Sequence, residues 1–255
     1  MNNQLLFSVY NRISAAKISR DPNGATYPRP SSTWTHLAMG LCFDSSTTLP
    51  TQSFLSNFAS VPSADHPFCT LHQAADNDYK GNTQELKIDR GHIVPNGIMN
   101  QNEDAAKTTF TLTNIAPQHS NFNQQAWNQL ECMVRQYMER EIPNDDAYVL
   151  TGTYGTKLTM NADNDAKNNV RLPEYYWKAF CYYDQSGTAY SWVYIQINEN
   201  DQTQSSGDLF MPTRDFSNQY YQGESLFNNQ CQTAGMGPWE VIADAWSTYR
   251  NRWGC

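Results

Sequence analysis

The chain has 255 residues, of which 39% are hydrophobic, 13% aromatic and only 16% charged. This aromatic content excludes a disordered chain, and the length suits one large domain, which we expect to span residues 1–255. A net charge of −8 excludes the broad basic surface of typical nucleic-acid-binding domains, but not a cleft that contacts a few phosphate groups. No apolar run is long enough to cross a membrane, so we expect no membrane contact.

The predicted elements alternate between strands and helices along the chain. Residues 86–94 alternate apolar and polar side chains and predict a strand. Apolar residues at helical spacing predict the main helix over residues 122–141, with Ser120 or Asn121 as its cap and Pro143 beyond its end. The other predicted elements are strands at 147–152, 174–183 and 189–197 and a last helix at 240–249. We therefore expect an α+β fold with a mixed, mainly antiparallel sheet flanked by helices.

The cysteines are spaced widely, with no Cys-x-x-Cys pair: Cys42, Cys69, Cys132, Cys181, Cys231 and Cys255. An even number without metal-ligand spacing favours about three disulfides and an oxidising compartment, so we expect a secreted protein, although the chain begins without a recognisable signal peptide. The alternative is a cytosolic protein whose buried thiols stay free. Among the many possible pairings we expect Cys42–Cys69, Cys132–Cys181 and Cys231–Cys255.

The segment LKIDRGHIVPNG at residues 86–97 combines a base with a cation. Arg90 and His92 are two residues apart on the predicted strand, so they project to one face, whereas Asp89 projects to the other. Gly91 between them leaves room for the close approach of a ligand or another backbone. The neighbouring guanidinium favours a neutral imidazole, which suits a general base that works near pH 7. An isolated histidine is usually structural, so this interpretation depends on the residues that follow.

The predicted helix carries two groups that could serve a metal ion. Asn123 lies in its first turn and Glu131 lies about 12 Å further along the axis of a regular helix. Both cannot bind one ion directly without long reach, but one can bind it while the other holds the waters of the ion. Mg²⁺ favours this arrangement because it keeps several waters and uses few protein oxygens.

Together these segments resemble the DNA/RNA non-specific endonuclease family, and especially its secreted animal members. Four segments carry the resemblance, in the order and spacing of the family: LKIDRGHIVPNG (86–97), TFTLTNIAPQHSNFNQQAWNQLE (109–131), YVLTGTYG (148–155) and VRLPEYYWKAF (170–180). The resemblance covers about residues 80–200 and implies a ββα-metal active-site motif. Beyond about residue 200 we find no clear motif of the family.

The resemblance implies a role for each matching residue. His92 corresponds to the general base that activates water, and Asn123 to the one direct protein ligand of Mg²⁺, for which Mn²⁺ can substitute. Arg90 corresponds to the arginine that stabilises charge developing on the phosphate. Glu131 and Asp89 correspond to carboxylates that hold the waters of the ion.

Two further residues match the Asn and Gln of the family pattern N-x-x-P-Q. Asn114 and Gln118 are therefore expected to contact the substrate or the surroundings of the metal. The sequence departs from the family in one respect, because no arginine lies between Arg29 and Arg90, where members often carry a second catalytic arginine. Arg29 or His66 could replace it, or the supporting cation is missing.

The function that this resemblance implies is that of a secreted, Mg²⁺-dependent endonuclease. Its substrates would be DNA and also RNA, cut with little sequence preference to leave 5′-phosphate ends. The main alternative is a nuclease-like protein that binds nucleic acids but has little or no catalytic activity. The acidic net charge and the missing arginine favour this alternative. A disulfide-stabilised recognition domain that carries the motif by chance is a third possibility. Oligomeric state and the preference among double-stranded DNA, single-stranded DNA and RNA stay open.

Overall fold

A computed structural model of the chain describes residues 7–14, 87–99, 103–110, 114–143, 145–160, 170–201, 209–227 and 229–255. The strands of this part are β1 (Phe7–Ser14), β2 (Ile88–His92), β3 (Ile115–His119), β4 (Asp146–Tyr154), β5 (Leu158–Met160), β6 (Val170–Leu172), β7 (Tyr175–Tyr183), β8 (Ala189–Ile197) and β9 (Phe210–Met211). The helices are α1 (Glu103–Thr108), α2 (Asn128–Arg140), α3 (Thr213–Tyr220), α4 (Asn229–Thr233), α5 (Pro238–Asp244) and α6 (Trp246–Trp253). A short 3₁₀ turn spans Asn96–Ile98, and a π-helical turn spans Phe122–Trp127 and leads into α2.

The largest sheet has five strands in the order β1-β4-β7-β8-β9, and every neighbouring pair is antiparallel. Two smaller antiparallel pairs, β2 with β3 and β5 with β6, lie outside it. The predicted α+β class is confirmed, and β4, β7 and β8 stand where strands were predicted. The prediction of one domain over residues 1–255 stays a prediction, because most of residues 1–86 lie outside the described ranges.

Both faces of the five-stranded sheet are covered by helices. On one face Phe180 packs with Tyr137 of α2 and with Trp239 of α5. On the other face Trp177 packs against Phe216 of α3, with the two ring centroids 5.3 Å apart. Burial on both faces explains why the sequence of β7 is an almost continuous run of large side chains rather than an alternating one.

The main helix differs from its prediction at its start. Helical structure begins after β3, but its first part is the π turn rather than an α-helical one. Asn121 has helical dihedral angles and makes no capping hydrogen bond, and the Ser120 hydroxyl donates to Asp89 and Lys87, so the predicted cap is wrong at both candidates. The α-helical part follows the predicted periodicity and buries one apolar stripe: Leu130, Met133, Val134, Tyr137 and Met138.

The disulfides form, but with different partners from those predicted. Cys132 of α2 pairs with Cys255, and Cys181 of β7 pairs with Cys231 of α4, with Cα–Cα distances of 5.7 and 5.9 Å. The predicted pairs Cys132–Cys181 and Cys231–Cys255 are therefore wrong, because α6 returns to α2 whereas α4 packs on the opposite face of the sheet. The predicted pair Cys42–Cys69 lies outside the described residues.

The C-terminal region also differs from its prediction, because the single helix expected at 240–249 is divided. A break at Ala245, where φ is −105° and ψ is 34°, separates α5 from α6. This break lets Trp239 and Trp253 both reach Tyr137 on α2. None of the helices that the structure describes has the length and apolar character needed to cross a membrane.

Candidate active site

The candidate site is built on two strands and the helix that follows them. β2 and β3 pair antiparallel, with His92 opposite Ile115 and Asp89 opposite Gln118. The chain enters helical structure at Ser120, immediately after β3. Asp89 and Gln118 are paired across the strands and share one face of this hairpin, from which Asp89 contacts the first residues of the helix. Arg90 and His92 lie on the other face of the hairpin.

A cleft of about 420 Å³ opens between β2, the 3₁₀ turn and the helix. Four of the predicted site residues line it: Arg90, His92, Asn123 and Glu131. The His92 ring is oriented by an edge-on contact with Phe110, whose centroid lies 5.0 Å away. The structure thus brings together a candidate base, a cation, an amide oxygen and a carboxylate from segments about 40 residues apart in sequence.

Asp89 does not line this cleft but faces the start of the helix. Its Oδ1 accepts a hydrogen bond from Ser120 Oγ at 2.8 Å. Its Oδ2 accepts hydrogen bonds from Asn123 Nδ2 at 2.9 Å and from Gln124 Nε2 at 2.8 Å. The carboxylate therefore joins β2 to the helix, and its expected role in holding waters of a metal ion stays a prediction.

The contact with Asp89 determines how Asn123 is presented. Since the amide nitrogen of Asn123 donates to Asp89, its Oδ1 is left as the atom that can bind a cation in the cleft. The π turn that contains Asn123 is wider than an α-helical turn, so its angle to Glu131 is not that of the regular helix assumed from the sequence. Turns of this kind are frequent at functional sites.

Glu131 lies in the wall of the cleft, with its side chain only 19% exposed. Burial raises the pKa of this carboxyl, while Lys178, Trp127 and Arg135 lower it. Among the described residues, Lys178 forms an ion pair with it, with its Nζ 4.0 Å from Glu131 Oε1. Burial lowers the pKa of the Lys178 ammonium, and the charge of Glu131 opposes that shift. Each charged group of this pair thus favours the charged form of the other.

Asn114 is a buried residue just before β3. Its Oδ1 accepts a hydrogen bond from Val94 N, and its Nδ2 donates to Val94 O and Thr109 O, all at 3.0 Å. The side chain is buried and does not line the cleft. Asn114 therefore holds the backbone that follows β2 with an amide that is already occupied, and its expected contact with the substrate or the surroundings of the metal stays a prediction.

Gln118 is likewise placed away from the cleft. It is fully buried, and its side chain lies so close to Gly91 that a Cβ at position 91 would overlap it. The room that Gly91 provides is therefore taken by Gln118 and not by a ligand. β-Strand pairing directs this side chain to the face opposite Arg90 and His92. The contact of Gln118 with the substrate or the surroundings of the metal stays a prediction.

Two charged residues near the cleft were missed by the reasoning from sequence. Arg135 lines the cleft, and its Nε is buried without a hydrogen-bond partner in the described part of the chain. The sequence indicates this placement, because Arg135 follows Glu131 by four residues and therefore lies on the same face of the helix. Lys178 lies within the quoted segment YYWKAF, where a lone lysine in an apolar run indicates a buried and paired charge. The proposed substitutes for the missing arginine, Arg29 and His66, lie outside the described residues.

Two paired strands that carry a histidine, followed by a helix that carries an amide and a carboxylate on the same cleft, define the class of ββα-metal nucleases. The sequence model of the DNA/RNA non-specific endonuclease family matches residues 63–233, and the chain belongs to this family.

Similar proteins include human mitochondrial endonuclease G, which is 31% identical over 135 residues, covering 50% of this chain and 43% of that protein. The nuclease of Serratia marcescens is 33% identical over 101 residues, covering 40% of this chain and 37% of the nuclease. The matches thus span less than half the length of these relatives. A crystal structure of EndoG in complex with EndoGI shares the fold, with a TM-score of 0.56 and 19% identity over 90% of this chain and 82% of that chain.

Proposed function

We propose that this protein is a secreted, Mg²⁺-dependent endonuclease. It hydrolyses phosphodiester bonds of DNA and RNA with little sequence preference and leaves 5′-phosphate ends. The observation that carries the proposal is the convergence of His92, Arg90, Asn123 and Glu131 on one cleft. Family membership supports the same reaction class.

The donor groups in the cleft fit a small, hard cation. The amide oxygen of Asn123 is left available by its hydrogen bond to Asp89, and the Glu131 carboxylate lies in the same wall. Oxygen donors in small number suit Mg²⁺, and Mn²⁺ accepts similar ligands. Asn123 would hold the ion directly and Glu131 would hold its waters. When bound, the ion polarises the phosphate and stabilises the leaving 3′ oxygen.

The remaining residues supply proton transfer and charge stabilisation. A neutral His92 accepts a proton from the attacking water as the water adds to phosphorus. The guanidinium of Arg90 neutralises the charge that builds up on the phosphate oxygens. Arg135 also lines the cleft, and its guanidinium can bind a further phosphate group.

The low sequence preference follows from the kind of groups that line the cleft. The guanidinium groups of Arg90 and Arg135 can bind phosphate by charge, and phosphate contacts carry no sequence information. With a net charge of −8, the protein has little attraction for nucleic acid outside the cleft. Few phosphate contacts also predict a shallow dependence of substrate affinity on salt.

Secretion is supported by the pairing of the cysteines. Cys132–Cys255 and Cys181–Cys231 both have the Cα separations of ordinary disulfides, and such bonds persist in oxidising compartments. Mass spectrometry of the protein from its natural source, before and after reduction, tests this part. Free thiols at all four positions would contradict secretion.

The decisive experiment incubates the purified protein with supercoiled plasmid and, separately, with a long RNA. We expect cleavage of both with Mg²⁺ or Mn²⁺ and none with EDTA. The cut DNA ends should be religated by a DNA ligase without prior phosphorylation, because ligation requires a 5′-phosphate. Binding of plasmid without cleavage under every metal condition would instead support the inactive, nucleic-acid-binding alternative.

A further inference from the structure

A lysine is buried directly beneath the candidate active site. Lys178 lies in the middle of β7, and its side chain is only 1% exposed. Its Nζ donates a hydrogen bond to Thr151 Oγ1 on β4 at 2.7 Å and lies 5.0 Å from the centroid of the Trp127 ring. Such full burial of an ammonium group is rare unless a compensating charge is close by.

That compensating charge is Glu131. The distance of 4.0 Å between Lys178 Nζ and Glu131 Oε1 is within ion-pair range but too long for a direct hydrogen bond, so the attraction is mainly Coulombic. Both side chains are largely buried, and their attraction is therefore screened less than at a surface. Of Lys178 and Glu131, Glu131 alone lines the cleft.

We propose that Lys178 is a positioning residue for the reaction, and that it acts on the metal through Glu131. The inference rests on the proposed function, since it assumes that Glu131 holds the waters of the ion. Lys178 is anchored to the central sheet by Thr151 and pulls the carboxylate of α2 towards β7. The sheet thereby determines both the charge and the orientation with which Glu131 faces the cleft.

The competing explanation is that Lys178 only stabilises the fold. A purely structural lysine would change the melting temperature when it is replaced, but not the metal affinity of the molecules that remain folded. A positioning lysine changes both, because outer groups that orient a metal site typically alter metal affinity or activity by 10- to 100-fold. Metal affinity of the folded protein therefore separates the two explanations.

The first test replaces Lys178 with methionine, which retains the length of the side chain but not its charge. Mn²⁺ binding is measured without nucleic acid, from the electron paramagnetic resonance signal of the free ion. We expect the dissociation constant of Mn²⁺ for Lys178→Met to rise about tenfold and kcat for plasmid cleavage to fall about tenfold, with KM changing much less.

A matched control separates this effect from general destabilisation. Phe180 lies two residues further along β7, on the same face, and packs in the core against Trp192. Phe180→Leu should lower the melting temperature while the Mn²⁺ dissociation constant and kcat stay within about twofold of wild type. Thr151→Val, which removes the anchor of Lys178, should shift Mn²⁺ affinity in the same direction as Lys178→Met but less.

A double substitution tests whether Lys178 acts through Glu131. Glu131→Gln alone should weaken Mn²⁺ binding and also lower the melting temperature, because it leaves the buried ammonium without its partner. Adding Lys178→Met should cause no further loss of Mn²⁺ affinity and should restore part of the melting temperature. Fully additive losses of affinity would contradict the inference.

The outcomes distinguish this inference from the proposed function. A wild-type protein whose cleavage depends on Mg²⁺, together with a Lys178→Met variant of unchanged Mn²⁺ affinity and kcat, would overturn the inference alone. A wild-type protein that neither cleaves nor binds Mn²⁺ would overturn the proposed function and the inference with it.

Discussion

At the scale of single residues, His92 is the group whose chemistry is hardest to replace. It lies in the cleft next to Arg90, at the end of β2, and its ring is held edge-on to Phe110. No other histidine of the described residues lines this cleft. Among the described residues, His92 is therefore the imidazole placed to accept the proton of the attacking water.

We expect His92→Ala to lower the rate of plasmid cleavage by about 10²- to 10⁴-fold, because a general base contributes about that much. Far-UV circular dichroism and Mn²⁺ affinity should stay unchanged. His119→Ala is the matched control, since this histidine ends β3 and does not line the cleft. Activity of His92→Ala within about tenfold of wild type would mean that another group removes the proton.

Asp89 shows how a residue can serve the site without facing it. We expect Asp89→Asn to raise the dissociation constant of Mn²⁺ about tenfold, because a neutral amide holds the Asn123 side chain less firmly in its orientation. The control is Ser120→Ala, which removes a different hydrogen bond to the same carboxylate and should have a smaller effect. Equal effects of the two variants would argue against an orienting role of Asp89 for Asn123.

The position of some predicted site residues follows from the local sequence, whereas that of others depends on distant segments. Arg90 and His92 share a strand face, so the alternation of the strand was sufficient to predict that they point into the same cleft. Asn114 and Gln118 matched a motif, but their environment depends on segments that meet only in the folded protein. Their motif therefore did not predict the buried environment in which the structure places both side chains.

At the scale of elements, the segment after β2 is held in place by contacts with α1 and with the residues between α1 and β3. Asn114 binds both backbone groups of Val94, and Asn96 donates to the Ala106 carbonyl and to the Thr109 hydroxyl. These contacts position the 3₁₀ turn that forms one wall of the cleft. The wall is thus built by buried polar contacts rather than by apolar packing alone.

We expect Asn114→Ala to lower the free energy of unfolding by about 1–3 kcal/mol, because it leaves buried backbone groups of Val94 without partners. Urea denaturation measures this change. Asn200→Ala is a control, since its hydrogen bond to the Asn121 backbone is exposed and should contribute about 0.5 kcal/mol or less. A raised KM of Asn114→Ala with unchanged stability would support the substrate contact predicted for Asn114.

Element boundaries were predicted well where one face is buried and poorly where a special turn intervenes. The periodicity of α2 follows from a single apolar stripe, and long runs of large side chains identified β7 and β8. The π turn before α2 and the break at Ala245 have no comparable signal, because both are stabilised by contacts with distant elements. The same distant contacts determine how Asn123 is presented.

At the scale of the whole molecule, one disulfide ties the end of the chain to the helix of the active site. Cys132 lines the cleft next to Glu131 and is bonded to Cys255, across 123 residues of sequence. Cys181–Cys231 instead joins β7 to α4 on the opposite face of the sheet.

We expect the variant Cys132→Ala/Cys255→Ala to lose about 2–5 kcal/mol of stability and also to lose cleavage activity per folded molecule. Cys181→Ala/Cys231→Ala should lose a similar amount of stability but retain its activity, since it does not touch the cleft. Thermal unfolding and initial rates below the melting temperature measure both. Equal activities of the two variants would contradict a role of Cys132–Cys255 in the site.

The aromatic core predicts a loss of stability at alkaline pH. Burial raises the pKa values of Tyr137, Tyr182 and Tyr194 above the ordinary value of 10.0. These phenols stay neutral in the folded protein but ionise near pH 10 in the unfolded chain. Their contribution is therefore complete below about pH 10 and is lost as the pH rises further.

We expect the urea midpoint to be lower at about pH 11 than at about pH 8, at equal ionic strength. Tyr137→Phe should show a smaller drop between the two values, because it removes one of the ionising groups. This comparison also covers the contact between the hydroxyls of Tyr137 and Tyr182, which lie 2.6 Å apart. An unchanged midpoint would mean that the phenols titrate alike in both states.

The sequence by itself determined the α+β class, the main strands and helix, and the family, because alternation, helical spacing and motif spacing are properties of neighbouring residues. It also supplied four of the residues that line the cleft: Arg90, His92, Asn123 and Glu131. Only the tertiary structure decided the connections between distant segments: Asp89 with Asn123, Lys178 with Glu131, and Cys132 with Cys255. The physical reason is that a hydrogen bond, an ion pair or a disulfide depends on where two side chains meet in space, and that position follows from how the sheet and helices pack together.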